Sequence, residues 1–149
     1  MPNSYSHLGD TLLIMLRTSW TLKGIPISLP DYSCYVYPVL RALEGVMRRM
    51  LFQRGFSVTN DSSNQLGKLF YKDSNGKFKI KNEFMSQGID SKTCNALEHC
   101  YTYFVQNRHT LFHSEDFTDA SRIIDKKERA VKMIEKILEI IDKAYVLAN

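Results

Sequence analysis

The fifteen residues Tyr37–Leu51, YPVLRALEGVMRRML, decide how the chain is read. With Val36 just ahead of them, Val39, Leu40, Leu43, Met47, Met50 and Leu51 recur every three or four positions, the period of a helix with one buried face. A helix is expected up to Gly55, with Pro38, which has no amide hydrogen, restricting its first turns. On an ideal helix each residue turns the direction by about 100°, which places Glu44 at the edge of the apolar stripe, between the directions of Leu51 and Tyr37. Arg41 and Arg48 stand three and four positions from it. Such spacing fits a surface ion-pair cluster worth about 0.3–0.5 kcal/mol per pair, and it fits equally a carboxylate placed for chemistry.

Working outward, Leu8, Leu12, Met15 and Leu16 within LGDTLLIMLRTSWTL (8–22) predict a first helix, ended by Gly24 and Pro26. GIPISLPDYS reads as a connector. Beyond the central helix, between Phe56 and Gly88, polar residues, Asn, Ser and Gly take over, and LFYKDSNGKFKIKNEF (69–84) alternates around the turn signal Asp-Ser-Asn-Gly. The segment predicts a loop-rich insertion with a small hairpin. Its Lys68, Lys72, Lys77, Lys79 and Lys81 are candidates for phosphate contacts, or simply a solvated hairpin face. Helical spacing returns from Asp90 to about Phe112 through Leu97, Cys100, Tyr101, Phe104, Leu111 and Phe112, with Asp90 or Ser91 as the N-cap. A last helix is expected from about Ser121 to Val146 on Val131, Ile134, Leu138, Ile141 and Tyr145. The sum is an all-α bundle of four main helices, one domain over residues 1–149, with the insertion (about 56–88) between the second helix and the third.

The 149 residues, 44% hydrophobic, are enough for one ordinary core. No run of about 18 apolar residues and no secretory leader pattern occurs, so a soluble intracellular, cytoplasmic protein is expected. Cys34, Cys94 and Cys100, an odd number without a C-x-x-C pair, suit free and mostly buried thiols. A net charge of +4 is compatible with a polyanionic partner and does not require one.

The third helix ends in QNRHTLFHSED (106–116), which packs an arginine and two histidines into six positions. Arg108 falls on the apolar stripe among Leu97, Cys100, Tyr101 and Phe104, so it must snorkel, find an acceptor or face a second subunit. His113 lies about 140° away on a straight helix, and the two approach each other only if the helix ends or bends near His113. His109 and His113 have the H-x-x-x-H spacing of many metal sites, yet Thr110 stands where a zincin has its glutamate and no third ligand is near. No metal or other cofactor is expected.

The R-x4-H element RHTLFH, the upstream helical glutamate in RALEG and the helical pattern around both resemble the HEPN superfamily of ribonucleases. YPVLRALEGVMRRML followed by a glycine, a basic hairpin and the R-x4-H helix is similar, over about residues 30–147, to the toxin domain of the RnlA/LsoA (RNase LS) toxins. The resemblance implies a metal-independent endoribonuclease, a toxin-antitoxin or phage-defence toxin, acting as a homodimer with two R-x4-H elements facing each other. It implies that a protein antitoxin binds this domain, which in the larger toxins follows other domains. The chain is then a stand-alone relative or an excised portion.

On that reading Arg108 holds the scissile phosphate, His113 transfers protons near its ordinary pKa of about 6.5, and Glu44 orients them or joins the proton transfer. His109, Asn107, Arg41, Arg48, Lys68, Lys72, Lys77 and Lys79 are candidates for substrate contact. The expected products are a 2',3'-cyclic phosphate and a 5'-hydroxyl. The competing expectations are a non-catalytic HEPN-like module that dimerises or binds an antitoxin or nucleotidyltransferase partner, and a helical nucleic-acid-binding domain without chemistry.

Overall fold

The structure, a computed structural model, describes residue 5 and residues 8–58, 65–112 and 123–148, without the side chains of 109–112 and 148. Among the described residues there are five α-helices: α1 (Asp10–Gly24), α2 (Ser33–Phe52), the short α3 (Asn82–Met85), α4 (Ser91–Phe112) and α5 (Lys127–Ala148). A 3-10 turn (Leu66–Leu69) leads into a two-stranded antiparallel ribbon, β1 (Phe70–Lys72) and β2 (Phe78–Ile80), with Tyr71 opposite Lys79. The four long helices are the expected four, and the ribbon is the expected hairpin. Among the described residues no helix is long and apolar enough to cross a membrane.

α2 is the centre, packed on α1, α4 and α5, and every residue of its predicted stripe is buried. Gly45 lets α1 approach closely: a Cβ there would stand 2.3 Å from Leu12 Cδ2. Pro38 falls inside the helix rather than at its start. The helix is repaired across the α1 contact, because the amide of Val39, just after the proline, donates to the buried Ser19 Oγ at 3.0 Å. Ser19→Ala orphans that amide, and is expected to lower the unfolding free energy by about 1–3 kcal/mol. Urea denaturation reads this as a lower midpoint at an unchanged slope.

The last helix begins at Lys127, later than the expected Ser121. The reason is non-local: Ile124 donates its amide to Asp31 Oδ1 (3.1 Å) and accepts from the Tyr32 amide (2.8 Å), and a residue bonded this way cannot join a helix. Burial alone works against the Asp31 carboxylate, yet the hydrogen bonds from Ser33 and Ile124 outweigh it and hold the carboxyl below its ordinary value. The buried face of α5 also differs from the expected one. Ile134, Leu138 and Ile141 are buried as expected, Val131 is half-buried and Tyr145 exposed, while Ala130, Ile137, Ile140 and Ala144 are buried as well. The stripe is wider because α5 packs against α2 and α4 together.

Asp90 caps α4. Its Oδ1 accepts the Thr93 amide at 2.9 Å, its Oδ2 accepts the Thr93 hydroxyl at 2.6 Å, and Arg54, just past the end of α2, approaches at 3.4 Å. These bonds pull the Asp90 carboxyl down to about 2, the Thr93 contacts contributing most. The folded value lies below the unfolded one, so the stabilisation is complete above about pH 4 and is lost as pH falls toward 2. Asp90→Ala is expected to cost about 1 kcal/mol at pH 7. The cost shrinks below pH 4, which chemical denaturation across pH 2–7 measures.

Three free thiols match the expectation with one amendment. Cys94 and Cys100 are buried, and burial pushes Cys100 up to about 12, but Cys34 is exposed.

Candidate active site

α2, the 3-10 turn and α4 enclose a cleft of about 290 Å³, lined by Glu44 and Arg48, by Gln65, Leu66 and Gly67, and by Tyr101, Phe104 and Arg108. Three charged residues singled out in the sequence, Glu44 and Arg48 on α2 and Arg108 on α4, therefore meet in one cavity. The packing of α2 on α4 brings them together, since Leu40, Leu43, Met47 and Leu51 of α2 and Leu97, Cys100 and Phe104 of α4 belong to the same buried core.

Glu44 and Arg48 form the i,i+4 pair that the spacing allowed. Arg48 Nε and Nη2 both donate to Glu44 Oε1, at 3.1 and 2.8 Å, and Nη1 donates to the Val58 carbonyl at 2.9 Å. Glu44 Oε2 has no hydrogen-bond partner among the described residues. Each side chain keeps about a third or less of its surface exposed, 32% for Glu44 and 26% for Arg48. The arrangement is a carboxylate held through one oxygen on the wall of a cleft, less exposed than a fully solvated surface pair.

Arg108 solves its placement on an apolar stripe by snorkelling. It is exposed, and its guanidinium lies 5.7 Å from the centroid of the Phe104 ring. The planar fork is thus held at the cleft by its stem and by the ring face, which leaves its donors available to an anion.

Tyr101 was expected only as part of the apolar stripe. It is half-buried and lines the cleft, its ring stacked on Phe70 at 3.9 Å and met edge-on by Phe78 at 5.1 Å. Its hydroxyl passes so close to Gly67 that a Cβ there would stand 3.0 Å away. Burial raises the Tyr101 phenol, the Arg108 charge lowers it and the Glu44 charge raises it further, the net direction being up. A neutral hydroxyl donor therefore shares the cleft with the carboxylate and the guanidinium. Only the docking of the ribbon reveals this, and the one sequence signal was a tyrosine on Arg108's own helical face.

The other candidates are dispersed. Arg41 is exposed on α2 and does not line the cleft. Asn107 turns back along its own helix, its Nδ2 donating to the Tyr103 carbonyl at 2.8 Å. Lys68 is exposed on the 3-10 turn and Lys72 on β1, whereas Lys77 and Lys79 line a separate cleft between β2 and α4. Lys79 is engaged with Glu98 at 2.7 Å. His113 and the side chain of His109 lie outside the described residues. Among the described residues no group of three His, Cys, Asp or Glu side chains is placed to hold a metal ion.

Comparison with known proteins follows the same lines. The family model described as RNase LS, bacterial toxin DBD domain, matches residues 1–115. The chain is 29% identical over 142 residues to the mRNA endoribonuclease LsoA of Escherichia coli O157:H7, covering 95% of this chain and 39% of that protein. It is 30% identical over 147 residues to the mRNA endoribonuclease toxin LS of Escherichia coli (strain K12), covering 99% and 40%. The chain thus spans about two fifths of the length of these curated relatives. The crystal structure of Escherichia coli toxin LsoA in complex with the T4 phage antitoxin Dmd matches with a TM-score of 0.74 at 30% identity, over 91% of this chain and 51% of that one. With most of its length matched by the family model and its fold shared with LsoA, the chain belongs to the RNase LS bacterial toxin DBD-domain family.

Proposed function

We propose that this chain is an endoribonuclease of the HEPN kind, a toxin that cleaves RNA without a metal ion. The observation that carries the reading is the meeting of Glu44 and Arg108, from different helices, in one cleft. The names of the relatives, both mRNA endoribonucleases, support it.

Cleavage by this route uses the substrate's own 2'-hydroxyl. Its oxygen attacks the adjacent phosphorus, its proton passes to a base, the P–O5' bond breaks and the departing oxygen takes a proton from an acid. The products are a 2',3'-cyclic phosphate and a 5'-hydroxyl, and no water is consumed in this step. Arg108 binds the phosphate and stabilises the charge that grows on its oxygens. His113 is the proton carrier on the strength of its R-x4-H spacing, and Glu44 offers Oε2 either to take the 2'-proton or to orient its neighbours. Tyr101 adds a neutral donor to the phosphate. In a homodimer with the two R-x4-H elements opposed, the exposed Arg108 faces its counterpart, and the two form one larger anion site. The protein acts in the cytoplasm, where its substrate is.

The test is cleavage of a fluorophore-quenched single-stranded RNA in excess EDTA by wild type, Arg108→Ala and His113→Ala, each checked for folding and dimerisation. Wild-type cutting, lost in both folded variants, with 5'-hydroxyl ends that a kinase labels directly, is the expected result. A 5'-phosphate product, or undiminished cutting by both variants, overturns it.

A protein antitoxin is the second reading, and the two are compatible. It is favoured by the match to a toxin solved in complex with a phage antitoxin. A chain that binds such an antitoxin yet leaves every RNA uncut is a binding module only.

A further inference from the structure

A second cleft, about 470 Å³, opens between β2 and α4. Its walls carry three carboxamides (Asn75, Asn95, Gln106), an imidazole (His99), a phenol (Tyr103) and an ammonium (Lys77). None of these takes part in the cleft that holds Arg108. Its volume suits one small planar ligand.

The composition narrows the ligand. Carboxamides carry a donor and an acceptor side by side, the pattern that pairs with the edge of a base, and an aromatic ring offers a stacking face. Tyr103 is half-buried, and burial pushes its phenol above the ordinary value, so the ring belongs to a partly desolvated wall. Lys79 is neutralised by Glu98, whereas Lys77 is exposed at the rim, where a phosphate attached to a base would pass. An added peptide strand fits less well. β2 uses one edge for β1, and on the other the amides of Phe78 and Ile80 already donate to Thr102 Oγ1 and Glu98 Oε1, each at 3.0 Å. The donors that strand addition requires are taken.

We propose that the cleft between β2 and α4 binds one base of a single-stranded RNA whose chain continues to the Arg108 cleft, with Tyr103 stacking on the base and Gln106 and Asn95 reading its edge. The ligand class rests on the endoribonuclease reading. The two clefts lie on different sides of α4, separated by about the 10–12 Å diameter of a helix, a span that a strand crosses within a few nucleotides. The second cleft therefore sets the sequence context of cutting rather than its chemistry.

The experiment measures fluorescence anisotropy of the full chain with labelled rA, rC, rG and rU hexamers that carry 2'-O-methyl groups, which block the attacking hydroxyl. Wild type is expected to favour one base. Tyr103→Ala should weaken that hexamer about tenfold, and Tyr103→Phe, which keeps the ring, should restore it. Gln106→Ala and Asn95→Ala, both at exposed positions that folding tolerates, should level the preference among bases. Unchanged affinity and preference in Gln106→Ala and Asn95→Ala overturn the proposal, and so does adenosine monophosphate binding as tightly as the hexamer. Selective binding lost in the variants, with unmodified RNA left uncut by wild type, keeps the subsite and removes the nuclease reading. Cutting by wild type at the same sites as by all the variants keeps the nuclease and removes the subsite.

Discussion

Arg108→Ala is expected to reduce kcat/KM for RNA cleavage by about 10²–10³-fold, the usual consequence of removing one donor aimed at a developing oxyanion. The change should hardly disturb the fold. Arg108 is exposed, and its one described contact of note is the Phe104 ring, a cation–π interaction worth about 0.5–1 kcal/mol at such a site. Large loss of rate with small loss of stability separates a catalytic guanidinium from a structural one. Arg108→Lys sharpens the test, because it keeps the charge and discards the planar fork. A lysine variant that recovers only a minor part of the rate indicates bidentate phosphate binding, and one that recovers nearly all of it reduces Arg108 to a point charge. Single-turnover cleavage, together with urea denaturation of both variants, measures the two quantities.

Glu44→Gln is expected to lower the same rate by about 100-fold. Glutamine preserves the shape and can still accept from Arg48, and Arg48 retains the Val58 carbonyl, so the pair is weakened rather than dismantled. A partly exposed i,i+4 pair contributes only about 0.3–0.5 kcal/mol, which bounds the stability change. What glutamine cannot do is accept a proton. If Oε2 takes the 2'-proton, the low-pH limb of the rate profile disappears together with the rate. If Glu44 only holds Arg48, the limb persists and a moderate loss of substrate affinity is all that appears.

The helical architecture was legible because a 3.6-residue period is a local signal, and α2 shows it without interruption from Val36 to Leu51. The α4 cap was legible down to a choice of two residues, since an aspartate beside a serine ahead of a helical run is itself local. Two features could not be read. The late start of α5 depends on Ile124 meeting Asp31, 93 positions away along the chain, and no window of sequence contains both. Tyr101 looked like core because its spacing is that of core, and its hydroxyl becomes part of a cleft only through Gly67 and the ribbon. Arg108 lies between these cases. Its anomaly was visible in the sequence, but the solution, a charged end turned outward over Phe104, was one of three that the pattern allowed.

The ribbon has a consequence in time. Strands of three residues do not hold together alone, and among the described residues no second sheet supports this pair. Its outward amides on Phe78 and Ile80 are completed by Thr102 and Glu98, and Phe70 and Phe78 grip Tyr101, all on α4. The ribbon can therefore form only on a helix that already exists, which makes it a late event in folding and an early one to come undone. Each opening removes the β2 wall of the cleft that holds Tyr103, frees the Tyr101 ring that Phe70 and Phe78 fix at the other cleft, and leaves the helical core intact. Amide exchange at Phe78 and Ile80 would then run ahead of exchange in α2, and its rate would set how often the protein is briefly a bundle without its second cleft.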